Sequence, residues 1–381
     1  MLTQEQKYVL YLLRKSLGVQ TEETAEPEDL KSVAGYVVRT GILLTVYHSL
    51  PPELQEELKR KYNAALKQSI VQDYEGERVL GALGAAGMKC IALKGWEFRK
   101  LYPQTTMRQM SDLDILVKPY DYGKIRTEME KLGFQSKKES SWKHDSFIRK
   151  DVNVEMHKRL TDDSGQIRKW EQDMWTRTPE MDGMGIFRMS PEDFHIFHFI
   201  HMYKDFLNGR FGLRRIADTW LLRKLPADTE RVKAELQSFG MGTFYERMTG
   251  LSRAAMGEEP LDDDCEHLLR HAFAYGLNGT DKSYKAGRIT RMGSSLRSGR
   301  IHSALAAVFL PYKRMKAHFP VVEKWPVLLP WCWLRRIFQL LRKNKKKKLL
   351  KLDYRNIQEE DVEEMKRFFE AGGVKLSGIR K

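Results

Sequence analysis

The feature that most constrains this chain is a short alternation of acids and aliphatics, Ser111-Asp112-Leu113-Asp114-Ile115-Leu116-Val117. Bounded by Pro119, it predicts a β-strand. Side chains alternate across a strand, so Asp112 and Asp114 share one face while Leu113, Ile115 and Val117 enter a core on the other. Two adjacent carboxylates repel, and one is driven toward protonation unless a cation lies between them. A hard divalent ion that takes oxygen ligands, Mg²⁺ or Mn²⁺, resolves the conflict. A second alternating run, Val152-Asn153-Val154-Glu155-Met156-His157, puts Asn153, Glu155 and His157 on one face. If the two strands are neighbours, Asp112, Asp114 and Glu155 converge, which is the set that two-metal phosphoryl or nucleotidyl transfer requires. The competing reading of a lone Asp-x-Asp is a solvated turn, and Glu155 is what separates the two.

The surrounding pattern places this pair of strands in an α+β unit. Residues 3–17 and 28–50 carry apolar positions at helical spacing, Pro51-Pro52 breaks the chain, and a long helix is expected from Glu53 to Ala86. Met88 to Leu93 reads as a buried strand, Trp96 to Tyr102 as a short helix and Tyr120 to Leu132 as an amphipathic helix closed by Gly133. Phe147–Arg149 and Val152–His157 then read as strands about a turn at Lys150-Asp151. Helices follow from Ser190-Pro191-Glu192-Asp193 to about Leu207, from Gly212 to Leu225, and through 227–278. Residues 279–300 read as a Gly/Ser/Arg-rich linker. The expected division is therefore N-terminal helices over 1–86, a mixed-sheet core over 87–180, a helical domain over 181–280 and a basic C-terminal region over 281–381.

Several of these segments together resemble a known family. Ala92-Leu93-Lys94-Gly95, Leu101-Tyr102-Pro103, Met107-Arg108 through Asp112-Leu113-Asp114-Ile115-Leu116-Val117, Leu132-Gly133-Phe134 and Val154-Glu155-Met156-His157 are similar to the uncharacterised bacterial nucleotidyltransferases. That family lies within the DNA polymerase beta-like nucleotidyltransferase superfamily. The likeness continues through His198, His201 and Lys204, through Leu213-Arg214-Arg215-Ile216-Ala217-Asp218, and into Trp325-Pro326 and Trp333-Leu334-Arg335-Arg336. It implies a nucleotidyltransferase fold with Asp112, Asp114 and Glu155 as metal ligands. The implied activity is transfer of a nucleoside monophosphate from a nucleoside triphosphate to a hydroxyl of an acceptor, whether small molecule, peptide or protein. The superfamily's Gly-Ser pair, which holds the nucleotide phosphates, is replaced here by Lys94-Gly95-Trp96. Gly95 allows close backbone approach, and Lys94 stands in for the hydroxyl as a phosphate contact.

Other residues extend the candidate site. Ser111 opens the metal strand. Arg108, just before it, either clamps a phosphate or pairs with Asp112 or Glu155. His157 shares the face of Glu155 and either assists proton transfer or phosphate contact, or is a hydrogen-bonded structural histidine. His201, Lys204, Arg214 and Asp218 either line an acceptor cleft or form packed and ion-paired helix faces.

Charge divides the chain. Between Asp281 and Lys351 stand 19 Lys or Arg against two acids, a local +17 in a protein whose net charge is +15. With the Trp325–Leu334 segment ahead of Arg335-Arg336 and Lys345–Lys348, this end suits an anionic membrane or a nucleic acid, or docks on its own catalytic domain. The alternative to an enzyme is accordingly a non-catalytic module of the same fold that binds through residues 281–351. No apolar run reaches the roughly 18 residues of a membrane span, and the expected location is cytoplasmic, with peripheral membrane contact as an option. Cys90, Cys265 and Cys332 form no CxxC pair and are expected as buried free thiols.

Overall fold

The computed structural model describes residues 1–381 except 23, 119, 138–143, 162–164, 182, 184, 293–295, 297–308, 311, 313, 314, 316–318, 342–353, 355 and 377–381. The Lys345–Lys348 run, the bounding Pro119 and much of the expected linker therefore lie outside the described residues. The chain forms two compact units. One comprises Met1–Tyr203 with Phe211–Leu277, and the other Lys204–Arg210 with Asn278–Lys381.

In the first unit, α1 (Gln4–Ser16), α2 (Leu30–Arg39) and α3 (Leu43–Val46) precede the 34-residue α4 (Pro52–Ala85). The helix expected over 28–50 is broken. Gly41 adopts φ 78°, and the Ile42 N–H donates back to Val37 O, closing α2 as a left-handed cap that only glycine adopts without strain. The α+β core follows: β1 (Lys89–Ala92), α5 (Gly95–Phe98), β2 (Leu113–Lys118), α6 (Tyr122–Lys131), β3 (Gln135–Ser136), β4 (His144–Arg149), β5 (Val152–His157), α7 (Gln166–Arg177), β6 (Glu180–Met181) and β7 (Ile186–Phe187). Their seven strands make one mixed sheet in the order β3-β4-β5-β2-β1-β7-β6. β5 lies beside β2 in parallel, with Asp114 opposite Glu155.

Alternation along these strands sorts the sheet into two faces. Leu113, Ile115 and Val117 from β2 and Val152, Val154 and Met156 from β5 are buried with Val79, Leu80 and Leu83 of α4 and Ile125 and Met129 of α6. Excluding this apolar surface from water is what fixes the register, because a one-residue slip of β2 would send both aspartates into that core. The opposite face is left to the polar side chains.

The helices α8 (Pro191–Leu207), α9 (Leu213–Leu221), α10 (Thr229–Ser238), α11 (Gly242–Ala255) and α12 (Asp263–Tyr275) follow. The expected start at Ser190 is present, with its hydroxyl accepting from the Asp193 N–H at 3.1 Å. Buried His198 of α8 shares a 2.9 Å hydrogen bond with the Thr219 hydroxyl of α9. Burial, against a smaller opposing pull from Asp218, pushes its imidazole down to about 3. An unfolded-chain imidazole titrates near 6.5, so across this window the unfolded chain takes up a proton that the folded chain refuses, and stability falls as pH drops. Burial shifts His195 in the same direction. Urea melts between pH 7 and 4.5 should show this loss. In His198→Gln the slope should be shallower by up to about 1.4 kcal/mol per pH unit, one proton's worth; an unchanged slope would place the acid sensitivity elsewhere.

In the second unit, the first half of the expected 279–300 linker is a helix, from Asp281 to Arg291, started by a Thr280–Ser283 capping box, with Ala286 and Ile289 buried. The acidic helix Glu359–Ala371 packs on it. Asp361 pairs with Lys282 at 2.8 Å, and Phe368 stacks on Phe206 with ring centroids 3.9 Å apart. Leu310, Met315, Phe319, Val322 and Cys332 form a separate small cluster. The cysteines are free. Cys90 and Cys332 are buried, but Cys265 is half-buried rather than buried, and burial pushes the Cys90 thiol up to about 12. Among the described residues no helix is long and apolar enough to cross a membrane.

Candidate metal centre

β2 and β5 bring Asp112, Asp114 and Glu155 together, each offering an oxygen within 4.8 Å of the others. Asp114 is nearly inaccessible at 3% exposed and accepts from two side chains, Lys94 Nζ at 2.9 Å and His157 Nε2 at 2.6 Å. Burial alone would raise its pKa, but the charge of Lys94 and the His157 hydrogen bond outweigh it and hold the carboxyl well below its usual range. Asp112 and Glu155 go the other way. Burial and the neighbouring Asp114 charge raise both, and Asp112 adds to the effect on Glu155. A carboxylate set with two members pushed toward protonation is short of positive charge, and the donor set fits a hard divalent cation at this position.

Ser111 donates to Asp112 Oδ1 at 2.8 Å and orients it. Lys94 reaches Asp114 from a left-handed turn, φ 43°, between β1 and α5. For an L-residue this is a strained conformation of the kind that persists where surroundings over-determine it. Burial would depress the Lys94 ammonium, but Asp114 and Asp112 raise it, against opposition from nearby Arg215. Gly95 follows because nothing larger fits: a Cβ there would lie 2.7 Å from Met110 Cγ and 2.8 Å from Arg108 Nη1. The close approach expected of Gly95 is thus made to the Arg108–Met110 loop.

Arg108 is placed differently from either expectation. Its guanidinium is buried and makes a bidentate pair with Asp218 of α9, both bonds 2.7 Å, rather than meeting a phosphate, Asp112 or Glu155. Tyr102 donates to the same carboxylate at 3.0 Å. Asp218 is fully buried and serves as an anchor for the loop before β2, not as the lining of a cleft or the partner of Arg214 on its own helix. Arg214 donates instead to Gln109 O at 2.8 Å, tying α9 to the same loop. His201 packs against Phe197, and Lys204 is an exposed residue of the second unit; neither belongs to the carboxylate cluster. A cleft of about 340 Å³ lined by Trp170, Arg177 and Asp193 contains none of the three carboxylates.

Sequence reasoning passed over His144, which stands directly opposite His157 on β4. The signal was available. A two-residue turn at Lys150-Asp151 pairs Arg149 with Val152 and, counting outward, His144 with His157. The strand had been expected to start three residues late, at Phe147. Burial, helped by the His157 ring, pushes the His144 imidazole down to about 4, so it is neutral at pH 7.

A mixed α+β sheet that presents Asp114 on one strand, Asp112 immediately ahead of that strand and Glu155 on its parallel neighbour defines a nucleotidyltransferase-like protein. The family model described as uncharacterised nucleotidyltransferase matches residues 29–257, and the chain belongs to that family. No curated protein and no solved structure shows significant similarity to it.

Proposed function

We propose that this protein is a Mg²⁺-dependent nucleotidyltransferase that moves a nucleoside monophosphate from a nucleoside triphosphate to an acceptor hydroxyl, acting in the cytoplasm. The observation that carries the reading is the convergence of Asp112, just ahead of β2, with Asp114 and Glu155 on the adjacent strands β2 and β5. These three would hold the ion, which when bound neutralises triphosphate charge and lowers the pKa of a coordinated hydroxyl. The protein's own part is position and charge. Ser111 and His157 hold Asp112 and Asp114 in place. Lys94 is the ammonium paired with the central carboxylate, and exchanging that oxygen for a phosphate oxygen keeps it in the same site. Arg215, close enough to act on Lys94 electrostatically, adds a second positive charge. The Arg108–Asp218 pair fixes the loop that leads into β2.

Calorimetry with ATP, CTP, GTP and UTP, each with and without Mg²⁺, tests this on the wild type and on Asp112→Ala/Asp114→Ala. Binding of one nucleotide that needs Mg²⁺ and is lost in the double variant is expected. Absence of metal-dependent binding at millimolar nucleotide would rule the activity out.

A second property rests on a different observation. In the second unit, helix Leu329–Leu341 buries Cys332 but exposes Trp331, Leu334 and Phe338 at i, i+3 and i+7, with Arg335 over the Trp331 ring. Trp325 and Val327 are exposed beside it in sequence. An outward apolar stripe with aromatic and cationic residues is the composition of a helix that lies on an anionic membrane surface. Vesicles containing phosphatidylserine should co-sediment the protein and neutral vesicles should not. Trp331→Ser/Leu334→Ser/Phe338→Ser should cut the bound fraction at least about tenfold, and equal sedimentation with the triple variant removes the membrane reading.

A further inference from the structure

The sheet face that carries the three carboxylates continues into a second donor set. His144 on β4 and Glu155 and His157 on β5 each offer one ligand atom within 4.8 Å of the others. The register makes this arrangement obligatory: His144 is the cross-strand partner of His157, and Glu155 lies two residues back on the same face. Both imidazole Nε2 atoms sit 3.6 Å from the same Glu155 Oε2. That distance is too long for a hydrogen bond. It is near the separation of about 3.3–3.4 Å between ligands held tetrahedrally around an ion at about 2.0–2.1 Å. The two rings, with centroids 5.1 Å apart and tilted 45°, converge on this oxygen without stacking on each other.

We propose that His144, Glu155 and His157 form a binding site for a borderline divalent transition ion of the Zn²⁺ class, sharing Glu155 with the carboxylate set. The two sets differ in kind. Asp112, Asp114 and Glu155 are all oxygen donors and suit Mg²⁺ or Mn²⁺. Two imidazoles and one carboxylate suit Zn²⁺ or its neighbours, and three protein ligands leave a coordination position for water or a substrate oxygen. An ion on His157 Nε2 replaces its hydrogen bond to Asp114, which keeps its pair with Lys94. The site follows from the donor geometry and holds whether or not the protein transfers nucleotides.

The test uses the full chain stripped with a chelator. Co²⁺ is titrated in excess Mg²⁺ and followed by visible d–d absorption and calorimetry. X-ray absorption of the Zn²⁺-loaded wild type counts imidazole ligands. One Co²⁺ retained against Mg²⁺, two imidazoles on the bound Zn²⁺, and affinity at least about tenfold weaker in His144→Gln and in His157→Gln are the expected results. Co²⁺ fully displaced by Mg²⁺, fewer than two imidazoles, or wild-type affinity in His144→Gln would each overturn the proposal. Should either variant fail to fold, the ligand count on the wild type decides alone.

Discussion

Asp114→Ala is expected to weaken Mg²⁺-dependent nucleotide binding by at least about a hundredfold, on the order of 3 kcal/mol, the scale of charge stabilisation that a bound ion supplies. Asp114 is the centre of the site. It is the least exposed of the three carboxylates, and its two oxygens meet Lys94 and His157. Removing it takes away one of the three proposed metal ligands and leaves an ammonium and an imidazole without the anion between them. Asp114→Asn separates the two effects, because it keeps the shape and an acceptor for His157 but not the charge. If the charge is what matters, Asn should be nearly as damaging as Ala to metal-dependent binding while melting closer to the wild type. Calorimetry and thermal melts on the same preparations read both quantities. Wild-type affinity in Asp114→Asn would sink the role of Asp114 as a metal ligand.

Arg108→Ala should destabilise the first unit by about 3–5 kcal/mol, the cost of leaving one partner of a buried ion pair uncompensated. Asp218 has no exposure at all, and its carboxyl tells the same story. Burial raises its pKa, yet the Arg108 charge and bonds hold it below the usual range. Replacing both partners removes the stranded charge. Arg108→Met/Asp218→Leu should therefore recover much of the loss relative to either single variant, as buried pairs exchanged for apolar residues often do. Urea denaturation of the wild type, Arg108→Met, Asp218→Leu and the double variant completes the cycle. If the double variant is as unstable as the sum of the singles, the two residues act independently and the bidentate pair is not what holds the loop. Because this loop leads into β2 and presses on Gly95, the double variant should also bind nucleotide less well than its stability alone would suggest.

How much of this was legible beforehand depended on whether the information was local. The alternation in 111–117 and 152–157 fixes which side chains share a face, because successive residues of any strand point to opposite sides. The burial pattern of β5, strictly alternating from Val152 to His157, follows that rule. The Pro-Pro break, the long α4 and the Ser190 start were similarly written in local chemistry. The break at Gly41 and the helix from Asp281 to Arg291 were missed. In the first, one left-handed residue outweighs a continuous apolar pattern; in the second, a capping box outweighs a Gly- and Ser-rich composition.

By itself, then, the sequence determined the two carboxylate-bearing strands, the faces they present and the helices that bury their apolar sides. Only the tertiary structure decided which strands are neighbours and which distant charges meet. It placed Glu155 opposite Asp114, put Lys94 on Asp114, gave Arg108 to Asp218 over a separation of 110 residues, and set His144 beside Glu155. The physical reason is that periodicity reports how a segment divides its own surface between core and water. The partner of a buried charge is chosen by whichever opposite charge the packed core brings within reach, and burial without that partner would cost more than the fold can supply.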